Sequence, residues 1–238
     1  MKIALIGYGK MGKTVEAMGL QQGHTFPLII DVDNKDDLNP EKVNGIDVAI
    51  EFSLPSAAPG NILECIRLGL PVVSGTTGWN DRLGEITGYC REKGGALFHA
   101  SNFSIGVNIF FSVNRQLAKM MKNFSGYTVT MEEVHHVHKL DAPSGTAIIL
   151  AQQIIEEQDR LKGWSREEDG DPAVLHIRSV REGEVKGRHT IRYISSLDTI
   201  SLEHDAKSRD AFAAGALMAA AFLRGRTGIY SMADLLNV

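Results

Sequence analysis

Residues Glu133 to Ala147 read EVHHVHKLDAPSGTA, which places His135, His136, His138 and Lys139 within five positions. No helical or strand packing period asks for such a run. Imidazole titrates near pH ~6.5 and can give or take a proton at neutrality. Lysine adds a compact cation. Pro143 cannot continue a strand, so the chain turns there. Ser144-Gly145-Thr146 then opens a helix, whose first N–H groups have no intrahelical partners. Together with two hydroxyls, they make an anion site. The run reads as proton transfer beside a bound carboxylate. Two blander readings compete: a histidine at a strand end is commonly structural, and three histidines can ligate zinc. Against zinc, Cys65 and Cys90 stand in no metal-like spacing, and no carboxylate is an obvious fourth ligand. If a strand continues through Val137, alternation puts His135, Val137 and Lys139 on one face and His136 and His138 on the other. His135 and Lys139 then converge, and one of the other histidines is structural.

A second constellation lies at the N-terminus. Gly7-Tyr8-Gly9-Lys10-Met11-Gly12 is G-x-G-x-x-G, between an apolar run and a helical pattern. In that context the glycines allow a tight turn and let backbone N–H groups approach a pyrophosphate. Asp31 ends the next apolar run, at the spacing of an acid that binds the adenosine ribose. The loops Gly75-Thr76-Thr77-Gly78 and Ala100-Ser101-Asn102-Phe103 follow later runs. Ligands of open α/β sheets sit beyond the carboxyl ends of strands, so both loops are placed to meet the nicotinamide end. Each is equally readable as an ordinary turn.

The elements that position these groups follow from hydrophobic periodicity. KIALI (2–6), FPLIID (26–31), IDVAIEF (46–52), LPVVSG (70–75) and ALFHA (96–100) read as buried strands. Helical spacing links Met11, Val15 and Met18. Residues 56–69 form a helix with Ser56 as its N-cap and Pro59 in its first turn. Residues 81–93 are helical as well. This alternation argues for an α/β fold with a parallel sheet covered on both faces. The pattern changes after Asn102. Residues 104–124 and 144–158 read as helices, and 127–137 as a strand. Residues 162–172 read as a loop. Residues 173–180, 188–195 and 199–206 are strands joined by turns, which suggests an antiparallel or mixed sheet. Residues 208–225 form a final, alanine-rich buried helix.

The net charge of −4, with dispersed lysines and arginines, gives no basic footprint for nucleic acid or an anionic membrane. No apolar stretch approaches the ~18 residues of a membrane span. Two cysteines and no signal peptide fit a reducing cytoplasm.

The E-x-H-H-x-x-K-x-D-A-P-S-G-T-A run, the glycine loop, GTTG at 75–78, NFSIGVN at 102–108 and GRHT at 187–190 together resemble the dihydrodipicolinate reductase family. The resemblance covers essentially the whole chain. It implies an N-terminal Rossmann dinucleotide-binding domain, 1–104 completed by 207–238. A smaller α+β mixed-sheet domain, 105–206, would hold substrate and make tetramer contacts. It implies His135 as acid/base and Lys139 as catalytic lysine. His136, Ser144, Gly145 and Thr146 would contact a small cyclic dicarboxylate. Gly7, Gly9, Lys10, Met11, Gly12 and Asp31 would bind the nucleotide. Gly75, Thr76, Thr77, Ala100, Ser101, Asn102 and Phe103 would line the nicotinamide side. No metal is implied. The expected reaction is NAD(P)H-dependent reduction of 4-hydroxy-tetrahydrodipicolinate in lysine and diaminopimelate biosynthesis. Val32 follows Asp31 where some members carry an arginine, so NADH should be favoured and NADPH still accepted. Another keto-acid dehydrogenase, a dinucleotide sensor and a zinc hydrolase are the alternative readings.

Overall fold

The computed structural model describes residues 1–167, 170–208 and 210–238. The chain divides into two compact units: Met1–Ile105 with Asp210–Val238, and Gly106–Arg209.

The first unit begins β1 (Lys2–Ile6), α1 (Lys10–Gln21), β2 (Thr25–Ile30), β3 (Val48–Glu51), α2 (Ala58–Arg67), β4 (Val72–Ser74), α3 (Leu83–Glu92) and β5 (Ala96–His99). All five strands are parallel, in the order β5-β4-β3-β1-β2. β3 and β4 are wholly buried, and β1 is buried after its first residue, as helices on both faces require. β2 contains Pro27, which lacks a donor, and it lies at the sheet edge where that donor is not needed. Ser56 is exposed and does not cap α2; Ala57 stands at the N-cap without a side-chain bond. The helix start depends instead on Pro59, whose fixed φ suits the first turn.

The second unit holds α4 (Ile105–Met121) from Gly106 onward, then β6 (Thr128–His135), α5 (Gly145–Glu157), β7 (Gly163–Ser165), β8 (Val174–Arg181), β9 (Arg188–Ile194) and β10 (Thr199–Asp205). Its sheet is mixed, in the order β10-β9-β6-β8-β7: β9 runs antiparallel to β6 and β10, while β8 is parallel to β6 and β7. Val129, Met131, Ile177, Ile191 and Tyr193 pack one sheet face against Leu150, Ala151 and Ile154 of α5. Two expectations change here. The segment read as a loop over 162–172 contains β7, which its three residues could not announce; Glu168 and Asp169 of that segment lie outside the described residues. The strand expected to reach Val137 stops at His135, and residues 137–138 turn.

The chain then re-enters the first unit through α6 (Asp210–Leu223), β11 (Gly228–Tyr230) and α7 (Met232–Leu236). Arg209, expected in the final helix, lies outside the described residues. β11 extends the first sheet beside β5, too short a strand to read from sequence. α6 is buried along Ala213, Gly215, Ala216, Ala219 and Ala220. Small side chains bring its backbone close to its neighbours. A Cβ on Gly215 would lie 1.8 Å from the Phe103 carbonyl oxygen. That contact clamps the loop after β5. Gly215→Ala should therefore destabilise by at least about 2 kcal/mol through overpacking, lowering Tm by about 4–8 °C. Thermal melting checks this; a wild-type Tm would show the approach to be no constraint.

Candidate active site

In the first unit the chain reverses direction across the sheet between β1 and β3, where open α/β sheets form ligand crevices. A cavity of about 380 Å³ lies there, lined by Gly7, Gly9, Asp31, Val32, Lys35 and Ser53 among others. Gly7 has φ +91°, and a Cβ on it would lie 2.2 Å from the Phe52 carbonyl oxygen. A Cβ on Gly12 would meet the Gly7 carbonyl oxygen at 2.3 Å. Gly9 has open space instead and stands at the N-cap of α1 with no side-chain cap. The N–H groups at that helix end are available to a phosphate. Lys10 is exposed on the first turn, whereas the Met11 side chain packs into the core. Asp31 is exposed at the end of β2 and accepts the Val32 N–H at 3.0 Å.

Glu51, at the end of β3, organises the neighbouring loops. It has no exposed surface. Its carboxylate accepts from Ser74 Oγ at 2.7 Å, Thr76 Oγ1 at 2.9 Å, the Ser53 N–H at 3.0 Å and the Ser53 hydroxyl. The Thr76 side chain is thus turned inward, and its carbonyl accepts from Trp79 Nε1 at 2.7 Å. Gly75 lies against Phe52, whose ring a Cβ would meet at 2.1 Å. Thr77 remains exposed. In the loop after β5, Ala100 and Phe103 are core residues. Ser101 is exposed, and Asn102 accepts the Ser104 N–H at 2.9 Å.

In the second unit, alternation along β6 carries Val129 and Met131 into the core and then puts Glu133 and His135 on the same face. Glu133 has no exposed surface and His135 is buried. The Glu133 carboxylate is hydrogen-bonded to His135 Nδ1 and accepts from Arg181 Nη1 at 3.0 Å. Burial pushes its pKa up, but the bonds from His135 and Arg181 outweigh that and hold it at about 2. Arg181 also donates to the carbonyls of Lys139 at 3.2 Å and Asp141 at 2.6 Å. It pins the irregular segment after β6. Lys139 Nζ is paired with Asp141 at 2.7 Å, and this bond lowers the Asp141 pKa. Since β6 ends at His135, a turn and Arg181 place Lys139, not strand alternation.

Ser144 caps α5, its Oγ accepting the Ala147 N–H at 3.2 Å. His189 Nε2 lies 3.0 Å from the same oxygen. The His189 ring is 5.2 Å from that of His135, edge to face. Gly145 and Thr146 form the first turn of α5, with no Cβ obstruction at Gly145. Gly187 has φ +150°, and a Cβ there would come within 3.0 Å of His135 Nε2; glycine leaves that side of the imidazole clear. The adjacent histidines do not form a metal trio. His136 is half-buried, and His138 is exposed 3.5 Å from Glu184. The described residues whose ligand atoms do gather, within 4.8 Å, are Glu133, His135 and His189. There the Glu133 oxygens already have His135 and Arg181 as partners.

Two family models match the chain, the dihydrodipicolinate reductase N-terminus over residues 1–103 and its C-terminus over residues 106–236. The chain belongs to the dihydrodipicolinate reductase family. Among relatives, the 4-hydroxy-tetrahydrodipicolinate reductase of Christiangramia forsetii is 49% identical, covering 100% of this chain and 98% of that protein. The enzyme of that name from Methanopyrus kandleri is 41% identical over 83% of this chain and 74% of its own. In fold, the reductase matches a dipicolinate-bound dihydrodipicolinate reductase from Paenisporosarcina sp. TG-14. The TM-score is 0.79 at 23% identity, with 97% of each chain covered. Among the described residues, no helix of the reductase is long and apolar enough to cross a membrane.

Reading the sequence missed Glu51, Glu133, Arg181 and His189. Glu51 had a signal, a carboxylate inside an otherwise apolar run. Glu133 and His189 stood in quoted motifs without a role. Arg181 had none, because only the pairing of β6 with β8 brings it to Glu133.

Burial pushes the His189 pKa down to about 3 from the ordinary 6.5, helped by the charge of His135. His189 is therefore neutral in the fold and takes up a proton on unfolding. Its contribution to stability is whole above pH 6.5 and is lost as pH falls toward about 3. His189→Gln should flatten the acid limb of the unfolding free energy in that window, by up to about one proton in slope. Denaturant titrations at several pH values would read this. An unchanged slope would mean that His189 is already protonated in the fold.

Proposed function

We propose that this reductase converts 4-hydroxy-tetrahydrodipicolinate to tetrahydrodipicolinate by way of the dehydrated, conjugated cyclic imine. This is a step of lysine and diaminopimelate biosynthesis. The observation that carries the reading is the pairing, in one unit, of the buried Glu133–His135 dyad with the open N-terminus of α5. Reduced nicotinamide supplies the hydride when bound. Hydride arrival at ring C4 sends an electron pair toward the ring nitrogen, and the resulting enamine-like species needs a proton. Glu133 occupies His135 Nδ1, so Nε2, on the side kept clear by Gly187, is the donor atom. Lys139 exchanges Asp141 for the dianionic substrate and stabilises the developing charge. The N–H groups and hydroxyls of Ser144, Gly145 and Thr146 hold one carboxylate, and His136 contacts the ring. The dipicolinate bound to the Paenisporosarcina protein carries the same pair of ring carboxylates, which supports this substrate class. The exposed apolar residues Ile194, Leu197 and Ile200 of the second unit support assembly into the expected homotetramer.

His135→Gln and Lys139→Ala should each lower kcat by about 10²-fold or more, in the range of general-acid and electrostatic contributions. The assay couples the upstream synthase to NADH oxidation. Wild-type kcat in either folded variant would remove that residue from its role, and no turnover in the unmodified protein would overturn the function.

For the cofactor we propose NADH over NADPH. Asp31 accepts from both adenosine ribose hydroxyls, and a 2′-phosphate would set its charge against that carboxylate. Val32 offers no counter-charge. Lys35 lines the same cavity and keeps NADPH acceptable. One charged contact of about 1.4 kcal/mol gives NADH about a 10-fold advantage in kcat/KM. Val32→Arg should raise kcat/KM for NADPH and leave that for NADH nearly unchanged. A natural preference for NADPH would mean that Lys35 outweighs Asp31.

A further inference from the structure

We propose that His189 is a positioning residue for Ser144, keeping the Ser144 hydroxyl proton free to be donated to a carboxylate at the N-terminus of α5. The inference rests on the reading of that helix start as the carboxylate site. GRHT at 187–190 had no function from the sequence, and this assigns one to its histidine.

Few hydrogens are shared between Ser144 and His189. A serine hydroxyl has one proton and two lone pairs. One lone pair of Ser144 Oγ takes the Ala147 N–H at 3.2 Å. His189 Nε2, 3.0 Å away, is the second partner. If Nε2 carries the imidazole proton, it fills the second lone pair and the hydroxyl proton has no use within this cluster. If Nε2 is bare, it consumes that proton and the cap has no hydroxyl to offer an anion. The other nitrogen decides between these. His189 Nδ1 is buried and has no hydrogen-bond partner among the described residues. An orphaned buried N–H is rarer than an under-used acceptor. Once a carboxylate oxygen at the helix start takes the Ser144 hydroxyl proton, the Nε2–H tautomer leaves no donor orphaned, and it is the one the bound site holds. Protonation of both nitrogens is opposed by burial and by the charge of His135, with Glu133 acting in the opposite sense. Gly145 beside Ser144 is exposed, which gives an arriving carboxylate oxygen access to the helix start. His189 thus ties the anion loop to the ring beside it, His135, at 5.2 Å.

The test uses the full chain and dipicolinate, a stable cyclic dicarboxylate, as the probe. Its Kd is measured by calorimetry alongside steady-state kinetics. His189→Met removes the bond and keeps the volume, while His189→Gln offers an amide N–H where Nε2–H stood. We expect H189M to raise the dipicolinate Kd and substrate KM about 10-fold, as loss of a hydrogen bond to a charged group does. The fall in kcat should be much smaller, NADH affinity should be unaltered, and H189Q should recover most of the loss. In a Ser144→Ala background, H189M should add nothing, because both act through one hydroxyl. Tautomer-sensitive ¹H–¹⁵N spectra of the unmodified protein with dipicolinate bound should show His189 protonated on Nε2, a readout independent of whether H189M folds. An Nδ1–H tautomer in that complex would overturn the proposal. So would an unchanged dipicolinate Kd in folded H189M, or a full H189M effect without Ser144. Loss of turnover in the unmodified protein with dipicolinate binding intact would sink the reductase reading alone.

Discussion

A carboxylate with no exposed surface has to be compensated where it sits. Glu133 is such a group, and ions of its kind cost several kcal/mol to desolvate. Here the compensation is Arg181 on one oxygen and His135 on the other. Meeting that requirement settles much of the surrounding geometry. It fixes which nitrogen of His135 is occupied. It draws Arg181 across from β8, and the remaining guanidinium donors then reach the carbonyls of Lys139 and Asp141. The segment after β6 has no regular structure of its own, yet two of its carbonyls are held. Removing one partner would leave the others buried and uncompensated, which typically costs about 3–5 kcal/mol.

The first unit has a comparable device in a different chemistry. Glu51 is also fully buried at the C-terminal end of a strand, but its donors are hydroxyls and a backbone N–H. They come from the loop after β3 and the end of β4, so the carboxylate joins two neighbouring strand ends into one rim. Gly7 and Gly75 close against Phe52 on that rim. The side chain of Thr76 is spent on this framework. The bare motif GTTG does not reveal this inward use of its first threonine.

Much of this was legible in the sequence because it is periodic or local. The five strands from β1 to β5 were visible as apolar runs, and the G-x-G-x-x-G loop followed the first of them. The helix opening at Ser144 was visible from its residue types. What was not legible is of two kinds. Short elements such as β7 and β11 hold three residues each, and period-2 alternation cannot be recognised in so few. Pairings across strands are the other kind. Nothing local says that Arg181 stands opposite His135, or His189 opposite Glu133. Strand alternation does not bring His135 and Lys139 together, for a physical reason. That would take more strand beyond His135, and the chain turns at 137–138 instead. What places Lys139 is an arginine about forty residues downstream.

Sheet register explains why the second unit's site is where it is. Met131 pairs with Ile191 on one side and Ile177 on the other, and all three are core. Two residues along, on the same face, Glu133 pairs with His189 and Ser179. All three strands therefore change from apolar to polar at one level. The last row of the hydrophobic core is also the floor beneath the titratable row. A floor of packed side chains limits the rotamers available above it, and such limits keep donors aimed without reorganisation when charge develops. The same arrangement couples activity to stability. A change at Met131, Ile177 or Ile191 that loosens the core would also loosen Glu133 and His189. Activity should then fall before the fold does, even though none of those three side chains touches a reacting atom.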